Sequence, residues 1–367
     1  MSKIVYLLGA GASFGIRDKK KPTIVISGVK VDSGNPRIFP EYEYANIIEG
    51  LPLVSEITGR LSFLVNELKE YKDHGKKTEY IYTGMSFDRA LDKLIEDLIW
   101  LKTESGNHAT IDTFAKKLYL KNQRDDFYKV ESLLSVFFIL EQVLNKKDGR
   151  YDTFLASVLD AKLNIDDRIK ILTWNYDSQF ELAYKEYGDA KSKNTEWVRQ
   201  KLGIKDLKVQ DYDVNGTIFK LNGTANFLKQ IDISQYSELN ESLLNDIFIS
   251  YFGDNNIQVK NSRVSFAWDN ANYTTKIYKE ALINAVKDAE VLVVIGYTFP
   301  FFNREIDREI FSYMTQLKKI YIQDPNAEQI ISSLDSLYSA QHKGITKVNQ
   351  NVKPITNTAQ FYLPPEL

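Results

Sequence analysis

The feature that most constrains the fold lies at the start of the chain, where a short apolar run leads directly into a glycine-rich turn. Residues 4–8 form the apolar run, and the turn contains Gly9, Ala10, Gly11, Ala12 and Ser13. A buried strand, a glycine turn and a helix start are the expected opening of a doubly wound nucleotide-binding sheet. Glycine lets the backbone approach a pyrophosphate closely, and a following helix presents free N–H groups to the phosphates. The alternative is an ordinary strand–helix turn.

Later segments repeat this arrangement of a short apolar strand followed by polar or glycine residues. Strands are predicted at residues 170–173, 218–221, 291–295 and 320–322. They are followed by Trp174-Asn175-Tyr176-Asp177, Asn222-Gly223-Thr224, Gly296-Tyr297-Thr298-Phe299-Pro300 and Gln323-Asp324-Pro325-Asn326. Such strands, alternating with helices, predict a parallel sheet that is buried on both faces. Open α/β sheets bind ligands at the carboxyl ends of their strands, where these polar residues collect.

The remaining segments interrupt this pattern. Residues 17–50 predict a surface hairpin or flap, with alternating segments at 23–27 and 29–31 and a lysine run at 19–21 that is either an anion contact or solvated charge. Residues 51–164 have helical periodicity, with apolar stripes over 91–101 and, more fully buried, over 130–143.

We therefore predict an α/β fold with a doubly wound, Rossmann-like parallel sheet formed by residues 1–16 and 165–330. Residues 17–50 are the flap, residues 51–164 are a helical insertion, and residues 331–367 are a polar, peripheral C-terminal segment. The insertion is expected to cover the cleft or to contact another protomer.

Composition narrows the classes of function. The chain has 47 basic and 49 acidic residues, whereas proteins that grip nucleic acid usually have a basic excess. It has no cysteine, which excludes disulfides, thiolate nucleophiles and Cys-ligated zinc. Its three histidines, His74, His108 and His342, do not have helical ligand spacing, so we expect no metal site. No long apolar run or signal peptide is visible, which predicts a cytoplasmic protein that does not enter a membrane.

Two clusters have more than one interpretation. Asn175 and Asp177, two residues apart at a strand end, can face one pocket and hold the ribose and carboxamide of a nicotinamide nucleotide. Equally, Asp177 or Ser178 can cap the next helix. The segment 266–269, with Tyr273 nearby, contains an indole that can stack on a base, but a half-buried anchor is the better interpretation of it.

The ordered motifs at 9–13, 173–177, 222–223 and 296–300 resemble those of sirtuins, and more closely the sirtuin-like NADase domains of bacterial antiphage defence. Residues 51–56 resemble the Pro-Leu segment that those proteins carry after the glycine loop. The resemblance implies NAD as substrate or ligand and a homo-oligomeric effector of abortive infection. It also implies a partner such as a motor ATPase or a phage trigger protein.

The resemblance also assigns roles to individual residues. The pyrophosphate is expected near Gly9, Ala10, Gly11 and Ser13. Asn175 and Asp177 are expected at the nicotinamide ribose, with Asn175 as the catalytic amide. Asp177 and Asn222 are expected to be catalytic as well, and Thr173 and Gly223 are expected among the residues that bind NAD. Gly296, Tyr297 and Thr298 are expected on the phosphate and adenosine side, and Asp324 and Asn326 at the adenosine.

Two departures from the family separate the possible activities. Without a Cys-rich zinc module, lysine deacetylation is disfavoured, which leaves cleavage or binding of NAD. In addition, the family's general base is a histidine before glycine, and Asn222 stands there. An amide cannot accept a proton at neutral pH, and losing a general base slows a reaction by roughly a hundredfold to ten-thousandfold.

Activity remains physically reasonable, because nicotinamide leaves NAD as a neutral molecule through an oxocarbenium-like transition state that Asp177 could stabilise. We therefore predict a NAD glycohydrolase that gives nicotinamide and ADP-ribose. The alternative is a weak or inactive sensor or scaffold that binds NAD or an ADP-ribose nucleotide. A base supplied by one of the three histidines, from the same or a neighbouring protomer, is less favoured. A nucleotide-dependent oxidoreductase fits only the glycine loop.

Overall fold

The computed structural model describes residues 3–23, 44–74, 81–82, 85–208, 215–253, 262–269, 276–334 and 351–367. The strands in these ranges are β1 Ile4–Leu8, β2 Arg17–Thr23, β3 Tyr44–Ile47, β4 Ile81–Tyr82, β5 Met85–Ser86, β6 Ile169–Thr173, β7 Ile204–Asp206, β8 Ile218–Lys220, β9 Gly223–Phe227, β10 Ser262–Val264, β11 Val291–Ile295, β12 Lys319–Gln323 and β13 Val352–Ile355. The α-helices are α1 Ile57–His74, α2 Phe87–Gly106, α3 Ile111–Leu120, α4 Arg124–Leu144, α5 Gly149–Val158, α6 Gln179–Tyr184, α7 Thr195–Lys201, α8 Glu241–Phe252, α9 Lys276–Val286, α10 Arg304–Tyr313 and α11 Ala327–Leu334.

Seven strands form the central sheet, in the order β13-β12-β11-β1-β6-β8-β7, and each neighbouring pair is parallel. The predicted α/β fold with a parallel sheet is confirmed. The chain begins in the middle of the sheet, fills one half through β6, β7 and β8, and then returns to fill the other half. The switch point therefore lies between β1 and β11, which is where an open α/β sheet forms its ligand crevice.

Strand β1 shows why the sheet needs helices on both faces. Val5 and Leu7 point into a core shared with α9, α10 and α11, while Ile4, Tyr6 and Leu8 point into a core shared with α5, α6 and α7. Successive side chains of a strand alternate between faces, so a continuous apolar run has to be covered on both sides.

The prediction of a helix directly after the glycine turn is wrong. Ala10–Ser13 form only one 3-10 turn, after which the chain enters the antiparallel hairpin β2–β3. The hairpin is closed at its base, where the Ile48 N–H donates to the Ile16 carbonyl (3.1 Å) and the Leu51 N–H donates to the Ser13 carbonyl (2.7 Å). These contacts take the chain away from the sheet, and the first α-helix begins only at Ile57. Of the predicted alternating segments at 23–27 and 29–31, only Thr23, the last residue of β2, lies within the described residues.

The boundaries predicted for the helical insertion are also wrong. A third core joins α1, α2, α3 and α4, but it also takes in α8 and residues of β9 and β10 from the second half of the chain. Helix α4 is buried almost throughout because β9 and β10 pack on it, and the Ser135 hydroxyl donates to the Asn226 carbonyl (3.0 Å). Helix α5, by contrast, packs on the sheet. The helical unit is therefore assembled from two separate parts of the sequence.

The prediction of a peripheral C-terminal segment is wrong for residues 351–367. Strand β13 forms one edge of the central sheet beside β12. Phe361 is buried against Tyr151 and Phe154, with ring centroids 5.0 and 5.8 Å away. The Gln323 side chain donates to the Asn357 and Gln360 carbonyls, both at 2.6 Å. This segment is part of the sheet domain.

Candidate functional site

Two glycine loops meet at the switch point. The Gly9 N–H donates to the Ile295 carbonyl and the Gly11 N–H to the Gly296 carbonyl, each at 3.0 Å. Gly296 has φ +57°, and a Cβ placed on it would lie 2.3 Å from the carbonyl carbon of Gly11. Glycine is therefore required at position 296 by the contact between the loops and by its left-handed backbone.

Arg150 of α5 binds backbone carbonyls of the first glycine loop. Its guanidinium donates to the Ala12 carbonyl (3.0 Å) and the Phe14 carbonyl (2.9 Å), while Asp148 accepts from the same guanidinium. The carbonyls at the end of the turn are thus bound by a cation, which fixes the turn.

The Ser13 hydroxyl is the centre of a buried hydrogen-bond cluster. It donates to Asp177 Oδ2 (2.6 Å) and accepts from Asn175 Nδ2 (3.1 Å). It also lies 2.7 Å from the Tyr151 hydroxyl, which must be the donor because Ser13 has only one hydrogen. The Ser13 hydroxyl then uses its one donor position and both of its acceptor positions. Any contact of Ser13 with a phosphate is therefore left to its backbone.

Asn175 is fixed through its carboxamide nitrogen, which donates to the Gly9 carbonyl (2.9 Å) as well as to Ser13. Its backbone N–H donates to the Thr173 hydroxyl (3.1 Å). The first glycine loop and the end of β6 are therefore joined by side-chain bonds at the carboxyl edge of the sheet.

Asp177 is bonded at both carboxylate oxygens, and one of these bonds fits the helix-capping alternative. Its Oδ2 accepts from Ser13, and its Oδ1 accepts from the Gln179 N–H (3.1 Å) at the start of α6. Burial raises the pKa of Asp177, while the Lys220 ammonium and the Ser13 hydroxyl act against that rise. The carboxylate thus positions Ser13 and caps a helix.

Asn222 lies at the end of β8, which is the neighbour of β6 in the sheet. The Leu221 N–H donates to the Thr173 carbonyl (2.9 Å), and Asn222 Nδ2 donates to the Trp174 carbonyl (3.3 Å). The side chain is only 8% exposed, and its Oδ1 is buried with no hydrogen-bond partner among the described residues. Such an acceptor destabilises a fold by about 1–3 kcal/mol unless a ligand or water supplies the donor.

Close packing requires a glycine at the position that follows Asn222. Gly223 has φ +75°, and a Cβ on it would lie 2.0 Å from the Arg263 carbonyl oxygen. Strand β10, which carries Arg263, therefore passes directly beside the turn that presents Asn222.

A network of buried charges lies beneath these residues and was not predicted. Arg199 contacts Glu181 (2.6 Å) and Asp206 (3.1 Å), and Arg263 also contacts Asp206 (3.0 Å). Lys220 donates to the Asp177 carbonyl. Although burial acts to raise it, the pKa of Asp206 is held below its ordinary value by Arg263 and Arg199. Removing one member would leave an uncompensated buried charge and would destabilise the fold strongly.

A second unpredicted feature is a carboxylate that connects two of the loops. Asp307 of α10 is 1% exposed. Its Oδ1 accepts from Trp174 Nε1 (3.2 Å) and its Oδ2 accepts from the Tyr297 hydroxyl (2.7 Å). Burial raises the pKa of Asp307 to about 7, although these two donors act in the opposite direction. The sequence gives no signal for this contact. Trp174 is far from Asp307 along the chain, and Tyr297 lies in a loop before the helix that carries Asp307.

The remaining predicted residues are more dispersed. Tyr297 is buried and Thr298 is exposed. Asp324 Oδ1 accepts from the Asn326 N–H (2.8 Å) at the turn that leads into α11. Both residues follow β12, which is two strands away from β1. The structure thus brings together the glycine loops, Asn175, Asp177 and Asn222, and places Asp324 and Asn326 at a more distant strand end.

The aromatic side chains of segment 266–269 pack against other parts of the protein and have a structural role. Trp268 stacks on Phe266 (5.1 Å between centroids, 12° between planes) and meets Tyr119 edge-on at 5.4 Å. Phe266 belongs to the core of the helical unit. Trp268 is therefore an anchor for that unit, as the sequence favoured. Tyr273 lies outside the described residues.

The histidines considered as substitute bases bond to their own helical segments. His74 Nδ1 lies 3.3 Å from the Glu70 carbonyl, and His108 Nδ1 lies 2.9 Å from the Glu104 carbonyl. His342 lies outside the described residues.

Within the described ranges, no cluster of three or more His, Cys, Asp or Glu side chains is arranged to hold a metal ion. None of the helices described is both long and apolar enough to span a membrane. No protein-family model matches the chain. Comparison with curated proteins likewise finds no significant match.

Proposed function

We propose that this chain is a NAD glycohydrolase whose site lies at the switch point between β1 and β11. The pair of carboxamides at neighbouring strand ends supports this most directly. Asn175 is held by its nitrogen, and the buried Oδ1 of Asn222 has no donor among the described residues. A ribose offers two adjacent hydroxyl donors, which are the complement of two amide oxygens.

The reaction needs little from the protein at the leaving group. Nicotinamide departs as a neutral molecule, so no acid has to protonate it. The developing oxocarbenium ion requires nearby negative charge and oriented dipoles. Asp177 supplies a carboxylate, which accepts a hydrogen bond from Ser13. The carboxamides of Asn175 and Asn222 orient the ribose. Water has to attack without a strong base, because Asn222 accepts a hydrogen bond but not a proton. The proposed enzyme is therefore slow.

A second candidate is a domain that binds NAD or an ADP-ribose nucleotide without cleaving it, as a sensor or scaffold. Two observations favour it. Asn222 replaces the base, and both carboxylate oxygens of Asp177 are already occupied, by Ser13 and by the Gln179 N–H.

The biological setting is proposed on the motif resemblance alone. It comprises a cytoplasmic homo-oligomer that acts in antiphage defence and is kept quiet until a partner, such as a motor ATPase or a phage protein, triggers it. Size-exclusion chromatography with light scattering tests the oligomer, and a monomer at micromolar concentration would contradict it.

Nicotinamide release from NAD, measured over hours at high protein concentration, distinguishes the two candidates. The parent is compared with Asn175→Ala, Asn222→His and Asn284→Ala, the last being a control at an exposed position on α9. A glycohydrolase gives release in the parent and the control and loses it in Asn175→Ala. An imidazole at position 222 is expected to raise the rate by roughly a hundredfold or more.

Release from Asn222→His alone would identify a binding domain that lacks only its base. If no variant releases nicotinamide, autonomous hydrolysis is wrong, and calorimetric titration with NAD then decides whether the binding proposal survives.

A further inference from the structure

Three loops converge at the carboxyl edge of the sheet, and their relative positions decide the shape of any site there. The ends of β1, β6 and β11 are level, since Leu8 pairs with both Thr173 and Ile295. The loop after β1 contacts the loop after β11 through backbone bonds. The loop after β6 is joined to the loop after β1 by Asn175, which donates to the Gly9 carbonyl (2.9 Å), but it is one strand away from the loop after β11, so a direct connection between those two loops has to be made by another element.

Asp307 supplies that connection. Trp174, in the loop after β6, and Tyr297, in the loop after β11, donate to its two oxygens at 3.2 and 2.7 Å. The two rings also stack on each other, with centroids 6.1 Å apart and planes 19° from parallel. We call Asp307, Trp174 and Tyr297 the Asp307 bridge. A carboxylate that is 1% exposed and bonded at both oxygens is held in one orientation.

Both ends of the bridge lead directly to the residues proposed to hold nucleotide. The Trp174 carbonyl accepts from Asn222 Nδ2 (3.3 Å), and Trp174 precedes Asn175 in the chain. At the other end, Tyr297 follows Gly296, and a Cβ on Gly9 would lie 2.7 Å from the Tyr297 ring. A movement at either end of the bridge is therefore transmitted to both carboxamides or to the glycine loop.

We propose that Asp307 is a positioning residue which, through Trp174 and Tyr297, sets the distance between the carboxamide pair and the glycine loops. It acts on the ribose and pyrophosphate portions of the nucleotide without touching them. This inference rests on the proposed nucleotide site, but the geometry of the loops is measurable whether or not NAD binds.

Asp307→Asn and Asp307→Leu separate hydrogen bonding from shape. An asparagine can accept from the indole and donate to the tyrosine hydroxyl oxygen, whereas leucine fills similar space and does neither. Glu309 of the same helix gives the matched control, because it also accepts from a tyrosine (Tyr313, 2.8 Å) but pairs with Lys279 at the surface. The controls are Glu309→Gln and Glu309→Leu.

The dissociation constant for NAD is measured by calorimetry. Asp307→Leu is expected to weaken binding about tenfold, since it removes two buried hydrogen bonds that orient the loops. Asp307→Asn should restore affinity to within about threefold of the parent. The Glu309 variants should match the parent. Equal affinity in the parent and Asp307→Leu would overturn the proposal, as would failure of Asp307→Asn to restore binding.

Amide hydrogen exchange gives a readout that does not depend on NAD. Asp307→Leu should accelerate exchange at the Gly9, Gly11 and Gly296 N–H groups, and the Glu309 variants should not. If the parent binds no NAD, the proposed function fails, while faster exchange still supports the bridge and unchanged exchange refutes it. If Asp307→Leu does not fold, Tyr297→Phe removes one bond and keeps the ring. It should accelerate exchange at Gly296, and parent-like exchange there would count against the bridge.

Discussion

Two glycines with similar positive φ angles allow the contact between the loops to be measured at the scale of single residues. Gly296 and Gly253 have φ values of +57° and +63°. A Cβ on Gly253 has no atom within 4 Å, whereas one on Gly296 would overlap the backbone of Gly11 and Ala12. Gly253 also has ψ 174°, a combination that is essentially restricted to glycine, so Gly253→Ala should lower the free energy of unfolding by about 1–3 kcal/mol from backbone strain alone.

Gly296→Ala adds the overlap with Gly11 and Ala12 to backbone strain and should lower the free energy of unfolding by more than Gly253→Ala does, by about 3–5 kcal/mol. It should also abolish binding of NAD. Urea unfolding of the two variants beside the parent gives the comparison. Equal losses for both would mean that the loops separate easily and that the close contact does not shape the site.

Residue roles could be predicted where they depend on neighbours in the chain, and not where they depend on distant ones. Asn175 and Asp177 stand two apart at a strand end, and both side chains bond to the Ser13 hydroxyl. The occupancy of the Ser13 hydroxyl by Tyr151, and the bridge made by Asp307, arise from elements that approach only in the folded chain. No local pattern encodes such contacts.

At the scale of elements, the C-terminal segment beside β13 offers a direct test of its part in the sheet domain. Phe361 is 6% exposed and packs between Tyr151 and Phe154, while Leu363, two residues later, is exposed. Phe361→Ala should lower the free energy of unfolding by about 3–5 kcal/mol. Leu363→Ala should change it by less than about 0.5 kcal/mol. Thermal or urea unfolding measures both, and similar small effects would show that the segment is only loosely attached.

Five strands of the central sheet were predictable because each is a short apolar run that both faces of the sheet bury. The edge strands β7 and β13 were not. Strand β13 contains Lys353 and Pro354, which an edge strand tolerates because one side of it has no partner. Strand β7 ends in Asp206, whose charge is balanced by arginines from other elements. Both strands lack the apolar run on which the prediction depends.

The whole molecule is less modular than its sequence suggests. Residues 51–164 read as a self-contained helical insertion, yet their core includes Phe248 of α8 and Phe227 of β9. A fragment of residues 51–164 should therefore fail to fold cooperatively, because α8, β9 and β10 cover much of its apolar surface. Circular dichroism melting and the dispersion of amide NMR signals are the measurements. A sigmoidal melt with native-like dispersion would show that the fragment is a domain after all.

Periodicity indicated the helices of this unit but not what packs on them. Helix α4 was predicted correctly as a deeply buried helix. The sequence does not indicate whether the sheet, a second protomer or a later helix buries it, since an apolar face fits any apolar partner. In the folded chain, β9 and β10 pair with each other and pack on α4, and the sequence gives no signal for this.

The closed base of the β2–β3 hairpin also has an evolutionary consequence. Ile16 and Ile48 are joined by a backbone bond, and Ser13 and Leu51 by another, whatever sequence lies between them. Lengthening a loop whose ends are already fixed costs only about 0.6 kcal/mol for each doubling of its length. This position can therefore gain or lose whole segments over time while the sheet stays intact, so that related chains can diverge here without losing the strands on which the proposed site is built.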